Sequence, residues 1–222
     1  SLEEAPAATD DQLLLAHDAA YVDRMSSGGL TTNEARQIGF PWSPAMAERA
    51  RRSAGATIAA AIASLSERCS VNLAGGTHHA FRDHGEGFCC YNDSAVAARV
   101  VQRDCGIKRV LICDLDVHQG NGTASIFSGD ASVFTFSMHG EKNYPVRKET
   151  SSLDVELPDG CDDAAYLTVL RAHLPRITSE FKPDAMIYLA GADPYEGDRL
   201  GRLKLTKLGL CERDRYVLSL AR

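Results

Sequence analysis

Several things are scarce in this sequence, and each scarcity excludes a class of protein. No stretch approaches the ~18 consecutive apolar residues of a membrane-crossing helix, so no transmembrane helix and no membrane partner are expected. Basic charge is in deficit, with 24 Lys and Arg against 30 Asp and Glu and a formal net charge of −6. That balance argues against the phosphate backbone of nucleic acid as the main ligand and is compatible with a basic substrate. The seven cysteines (Cys69, Cys89, Cys90, Cys105, Cys113, Cys161 and Cys211) are odd in number and contain no C-x-x-C. This excludes a disulfide framework and a Cys-ligated zinc site, and points to a reducing compartment, cytoplasmic or, in a eukaryote, also nuclear. The start, SLEEAPAATDD, lacks an initiator Met and any basic-then-apolar signal pattern, so secretion is not indicated and a fragment is expected. No internal repeat or low-complexity stretch stands out.

What is present suits one ordinary globular domain: 222 residues, 44% hydrophobic and 24% charged. Four short apolar runs read as buried strands: Ser70–Ala74, Arg109–Leu115, Ser132–Met138 and Asp184–Ala190. The middle two lack alternation, which fits strands covered on both faces. Helical spacing runs through Pro44–Arg68, Asn92–Cys105, Asp162–Glu180 and Thr206–Arg222. Strand–helix alternation of this kind predicts a parallel α/β sheet. Each strand run leads into a chemically loaded loop: Gly75-Gly76-Thr77-His78-His79, Asp116-Val117-His118-Gln119-Gly120-Asn121, His139-Gly140 and Gly191-Ala192-Asp193. Ligands of parallel α/β sheets bind outside the carboxyl ends of the strands, so the four loops are expected to converge on one site.

Asp116, His118 and Asp193 can form an open three-ligand site of oxygen and nitrogen donors, the arrangement that leaves a position for a water to be activated. The plainer alternative is that Asp116 and His118 only cap a helix beginning near Asn121. The adjacent His78 and His79 are either turn residues or, beside a metal, the groups that move protons. Asp114 and Asn121 are placed to hold an imidazole by hydrogen bonding. Cys89, Cys90, Met138 and Trp42 read as packing residues, His84 as part of a solvated loop, and His17 and His173 as surface or helix residues.

The blocks GGTHHAFRDHGEGFCCYND (75–93), CDLDVHQGNG (113–122), FSMHGEKNYP (136–145) and AGADPYEGD (190–198) resemble the signature blocks of the zinc-dependent histone deacetylase family, most of all class IV members and their bacterial relatives. The resemblance implies a three-layer open parallel sheet of the arginase–deacetylase type, incomplete at both ends, forming a single domain over residues 1–222. It implies Zn2+ on Asp116, His118 and Asp193, His79 as general base, His78 as its partner and Asp114 behind His78. Asn121 stands where many members carry an Asp behind His79, so a neutral group raises the basicity of His79 less than a carboxylate does. Gly87, Phe88 and Tyr144 match the walls of an acyl-lysine channel, and Asp114, Asp116, His118 and Ser137 match a structural K+ site. The implied reaction is hydrolysis of Nε-acyl-lysine in proteins or peptides.

One family feature is unmatched. A Tyr on a Gly-Gly-Tyr loop donates to the oxyanion in the family, whereas no Gly follows Gly209 here and Tyr216 lies in a helix-like run. Truncation is the expected account, and a non-catalytic zinc- or acyl-lysine-binding protein is the alternative of another class. The related two-manganese ureohydrolases need further carboxylates where Gly120 and Tyr195 stand, and are rejected. Relatives acting on acetylated polyamines carry a gatekeeper carboxylate near Leu200. A Leu there offers a second ammonium no charge, which favours a lysine chain.

Overall fold

A computed structural model describes residues 4–221. The chain forms two compact units: the described residues up to Ile107 together with Asn121–Ile126, and Lys108–Gly120 together with the described residues from Phe127 onward.

The first unit is helical. Helices α1 (Asp10–Leu13), α2 (Ala19–Ser27) and α3 (Thr32–Ile38) precede the long α4 (Pro44–Glu67), which packs on α5 (Asp93–Cys105). Their starts follow from local chemistry. Thr9 with Gln12, and Thr31 with Glu34, form reciprocal capping boxes, while Ser43 caps α4 ahead of a Pro at its first turn. Asn92 caps α5 by accepting from the Ala95 N–H. The segment 121–126 adds α6 (Asn121–Ile126).

The second unit carries a parallel sheet of β1 (Val110–Asp114), β2 (Val133–Gly140), β3 (Leu153–Leu157) and β4 (Ala185–Leu189), in the order β3-β2-β1-β4. Helices α7 (Asp163–Phe181) and α8 (Lys207–Leu220) complete it. Leu111, Cys113 and Leu115 from β1 and its exit share one core with Phe136 and Met138 of β2, Leu170, Leu174 and Ile177 of α7, and Val217 of α8. Each fully buried Leu or Phe contributes roughly 1.5–3 kcal/mol by leaving water. Val110 and Ile112, on the opposite face of β1, are buried too, which explains the absence of polar alternation. The register places Asp114 opposite both Ser137 and Leu189, so the carboxyl ends of β1 and β4 lie level, while β2 runs on to Gly140.

The four expected helices are present as α4, α5, α7 and α8, although Arg222, the last residue of the expected final helix, lies outside the described residues, as do Ser1–Glu3. Three of the four expected strands are present. Ser70–Ala74 is a correction: it is a loop, with Val71 and Leu73 exposed at 72% and 85%. The Asn72 side chain captures the Ala74 N–H at 2.9 Å, a local turn that competes with a ladder bond. His139 and Gly140 belong to β2, not to the loop after it. Strand β3 was not expected; its Leu153, Val155 and Leu157 alternate with charged residues, the pattern of a sheet edge and not of a continuous apolar run.

Candidate active site

The level ends of β1 and β4 in the second unit bring together a compact set of candidate metal donors. Asp116 and His118 follow β1, Asp193 follows β4, and one donor atom from each lies within 4.8 Å of the others. The Nδ1 of His118 is 3.0 Å from Asp116 Oδ1 and 3.0 Å from Asp193 Oδ2. Donors around a tetrahedral ion at about 2.1 Å stand about 3.4 Å apart, so this set fits zinc with little movement. Burial alone would lower the pKa of His118, but hydrogen bonds from its ring to Asp116 and Asp193 raise it to about 9. Two carboxylates that draw a proton to this ring would draw a dication in the same way.

The carboxylates are themselves fixed by backbone. The Val117 N–H donates to Asp193 Oδ1 at 2.9 Å, the His118 N–H to Asp116 Oδ1 at 2.8 Å, and the Asp116 N–H to Asp114 Oδ1 at 3.1 Å. Asp114 is buried at the end of β1, beside buried Ser137, whose hydroxyl lies 2.9 Å from His139 Nδ1. Sequence reasoning missed Arg213, which is buried at 1% exposure on α8. Its Nη1 donates to the Leu115 carbonyl at 3.2 Å and the Gly191 carbonyl at 2.8 Å, just upstream of the two acidic donors. An Arg in a charged helix carries no sequence signal for such a clamp.

The tandem histidines lie in the first unit, both buried, with ring centroids 4.2 Å apart. Their loop is strapped to the start of α5. Asn92 donates to the carbonyls of His78 and Ala80 at 3.3 and 3.1 Å, while Asp93 accepts from the N–H groups of Gly76 and Thr77 at 3.1 and 2.8 Å. Helix α6 closes against the same loop, and a Cβ on Gly122 would stand 2.2 Å from the Ala80 carbonyl oxygen, so only glycine fits. Asn121 Oδ1 is 2.7 Å from His79 Nδ1. Its Nδ2 donates to Glu86 Oε1 at 2.6 Å, a partner the sequence reading did not identify.

Gly87 and Phe88 lie in the first unit, and Tyr144 and Leu200 in the second. Both Gly87 and Phe88 have positive φ, 56° and 66°, and their N–H groups donate to the carbonyls of Gln37 and Ile38 at the end of α3. Phe88 is 60% exposed, and its ring lies tilted against Phe40 with centroids 5.2 Å apart. Tyr144 meets the His118 ring edge-on at 6.5 Å, and Lys148 organises its loop by donating to the carbonyls of Asn143 and Pro145 at 2.7 Å each. Asn143 joins that loop to Leu200 by donating to its carbonyl at 2.8 Å, while the Leu200 side chain is 68% exposed.

Two packing expectations need correction or refinement. His17 is not a surface residue: it is buried, and its Nε2 accepts the Asn92 N–H at 2.9 Å, with burial lowering its pKa to about 4. Trp42 is only partly buried, its indole donating to the Met25 carbonyl at 2.8 Å. Cys89, Cys90 and Met138 are buried as expected.

A family profile described as "Histone deacetylase domain" matches residues 1–222. The chain belongs to the histone deacetylase family. It is 49% identical to an uncharacterised protein of Picosynechococcus sp. over 93% of this chain and 69% of that one. It is 34% identical to histone deacetylase 2 of Arabidopsis thaliana, over 78% and 45%, and 30% identical to the acetoin utilization protein AcuC of Staphylococcus aureus, over 96% and 60%. The chain thus spans about half to two thirds of the length of these relatives. Among solved structures, an HDAC homologue complexed with SAHA aligns with a TM-score of 0.86 at 26% identity, over 98% of this chain and 64% of that one. The HDA15 HD domain aligns with a TM-score of 0.82 at 29% identity, over 98% and 68%. The parallel sheet and its level strand ends are therefore those of the deacetylase fold, and the chain belongs to a family of hydrolases.

Proposed function

We propose that the protein hydrolyses Nε-acyl-lysine amides of proteins or peptides, using zinc on Asp116, His118 and Asp193. The observation that carries this reading is the convergence of His118 Nδ1 and two carboxylates within 4.8 Å, in a chain of the deacetylase family. Zinc, when bound there, supplies Lewis-acid polarisation of an amide carbonyl. The chain's own groups do the rest. His79 Nε2 takes the proton of the attacking water as its oxygen bonds to the acyl carbon. The His78–His79 pair then returns a proton to the lysine nitrogen as the C–N bond breaks, releasing a carboxylate and an amine. The family resemblance implies Asp114 as the carboxylate serving His78 and, with Asp116, His118 and Ser137, oxygens for K+. The same resemblance implies Gly87, Phe88, Tyr144 and Leu200 as the residues along the acyl-lysine chain. Leu200 provides no charge for a second ammonium, which favours acyl-lysine over an acylated polyamine.

The test is turnover by the zinc-loaded full-length protein of an acetyl-lysine peptide and of an acetylated polyamine. Hydrolysis of the peptide is expected to dominate. In the His79→Ala variant zinc content should persist while turnover falls about 10²–10⁴-fold, the worth of a positioned base; His78→Ala should cost less. Preference for the polyamine would move the substrate to small amines. Zinc binding without turnover of either would make the protein a non-catalytic binder.

A further inference from the structure

We propose that Glu86 is a positioning residue for His79, acting through the side chain of Asn121 to fix which ring nitrogen carries the proton. The proposal rests on the reading of His79 as the base. An ionised carboxylate offers acceptors only, so the side chain that approaches Glu86 Oε1 at 2.6 Å must present its amino group. Asn121 is buried and its amide is planar, so its carbonyl oxygen must then face the other way, toward His79 Nδ1 at 2.7 Å. An amide oxygen can only accept. The proton of neutral His79 is therefore on Nδ1, and the lone pair is on Nε2, the form a general base requires. Were the amide turned over, its N–H would select the opposite tautomer, with Nε2 protonated and unable to accept. An aspartate at position 121 would fix the tautomer unaided, whereas an asparagine can present either end. Glu86 removes that ambiguity and brings a negative charge one side chain behind His79. Its second oxygen, Oε2, lies 4.0 Å from His84 Nε2, and His84 Nδ1 lies 2.6 Å from Asp83 Oδ1. A Cβ on Gly87, next to Glu86, would stand 2.7 Å from the His79 ring, so the backbone is already pressed against the imidazole that Glu86 serves.

The experiment is a double-mutant cycle on the zinc-loaded full-length protein, with kcat and KM measured on an acetyl-lysine peptide. Glu86→Gln should lower kcat about tenfold and leave KM within about twofold, as loss of an orienting outer partner typically does. In an Asn121→Asp background the same Glu86→Gln change should raise kcat, because it relieves two carboxylates facing each other. An equal cost in both backgrounds, or none in either, would overturn the proposal. Long-range ¹⁵N imidazole spectra supply a readout that does not need turnover, with the His79 signal identified by its loss in His79→Gln. The proton should sit on Nδ1 in the wild type and redistribute toward Nε2 in Glu86→Gln. A wild-type signal protonated on Nε2 would overturn the assignment. If the wild type turns over no acyl-lysine peptide, the deacetylase reading fails, while the tautomer measurement still decides the role of Glu86.

Discussion

At the scale of single residues, two histidines of this chain are governed by opposite physics. His118 is held by two carboxylates that outweigh its burial, whereas at His17 burial outweighs the backbone groups of Phe81 and Arg82. Replacing His118 by Ala leaves two carboxylates without their nitrogen partner, and bound zinc should fall from about one ion per chain to near zero. Stoichiometric zinc in that variant, measured by elemental analysis, would remove His118 from the donor set. His17 yields a prediction about pH. Its pKa is about 4 in the fold against an ordinary value of 6.5, so between these values the unfolded chain binds the extra proton. Its contribution is intact above pH 6.5 and is lost as pH falls toward 4, by up to about 3 kcal/mol. In His17→Gln, whose amide oxygen can still accept the Asn92 N–H, urea midpoints should fall less steeply over that window. Parallel pH profiles of the two proteins would show that other groups carry the acid sensitivity.

At the scale of elements, the tandem-histidine loop owes its shape to the start of α5 more than to its own residues. Asp93 is 1% exposed and also accepts from the hydroxyls of Thr57 and Thr77, at 2.6 Å each. Asp93→Ala would leave two loop N–H groups and two hydroxyls without their acceptor, costing about 3–5 kcal/mol. Turnover should fall with the loop's order while zinc content is retained, since the metal donors come from β1 and β4; loss of zinc in this variant would contradict that division. The motif blocks marked this loop as a candidate site from its adjacent histidines. They did not reveal its backbone. Ser70–Ala74 has the composition of a strand, but no ladder partner lies beside it among the described residues and Asn72 closes a local turn. Strand β3 was invisible for the converse reason, as alternation with Asp154 and Glu156 marks an edge that a search for apolar runs passes over. The donors Asp116, His118 and Asp193 could be read because each follows a strand end. Glu86 and Arg213 could not, since their roles depend on contacts 35 residues away in one case and 98 in the other.

At the scale of the whole molecule, the sequence order of the units matters. The chain leaves the second unit after Gly120, contributes Asn121–Ile126 to the first, and returns at Phe127, so the metal donors and the proposed base sit in different compact units. Within the second unit, Arg213 couples α8 to both donor loops through the carbonyls of Leu115 and Gly191. Zinc at 100 times its Kd should stabilise the structure that holds it by about 2.7 kcal/mol. That gain should be seen as slower amide exchange where opening releases the ion: the segments around Asp116–His118 and Gly191–Asp193, and α8 by way of Arg213. Arg213→Met keeps the apolar stem of the side chain and removes the donors. It should lower stability by about 3 kcal/mol, because the buried Leu115 carbonyl and the partly buried Gly191 carbonyl lose their partner. The decisive comparison is hydrogen exchange of the full-length protein with and without zinc, in wild type and variant. In the wild type, protection should reach α8. In Arg213→Met it should remain in the donor loops and disappear from α8. Equal zinc-dependent protection of α8 in both proteins would mean that the helix senses the metal through the shared apolar core of Leu115 and Val217, and the clamp would be a packing feature alone.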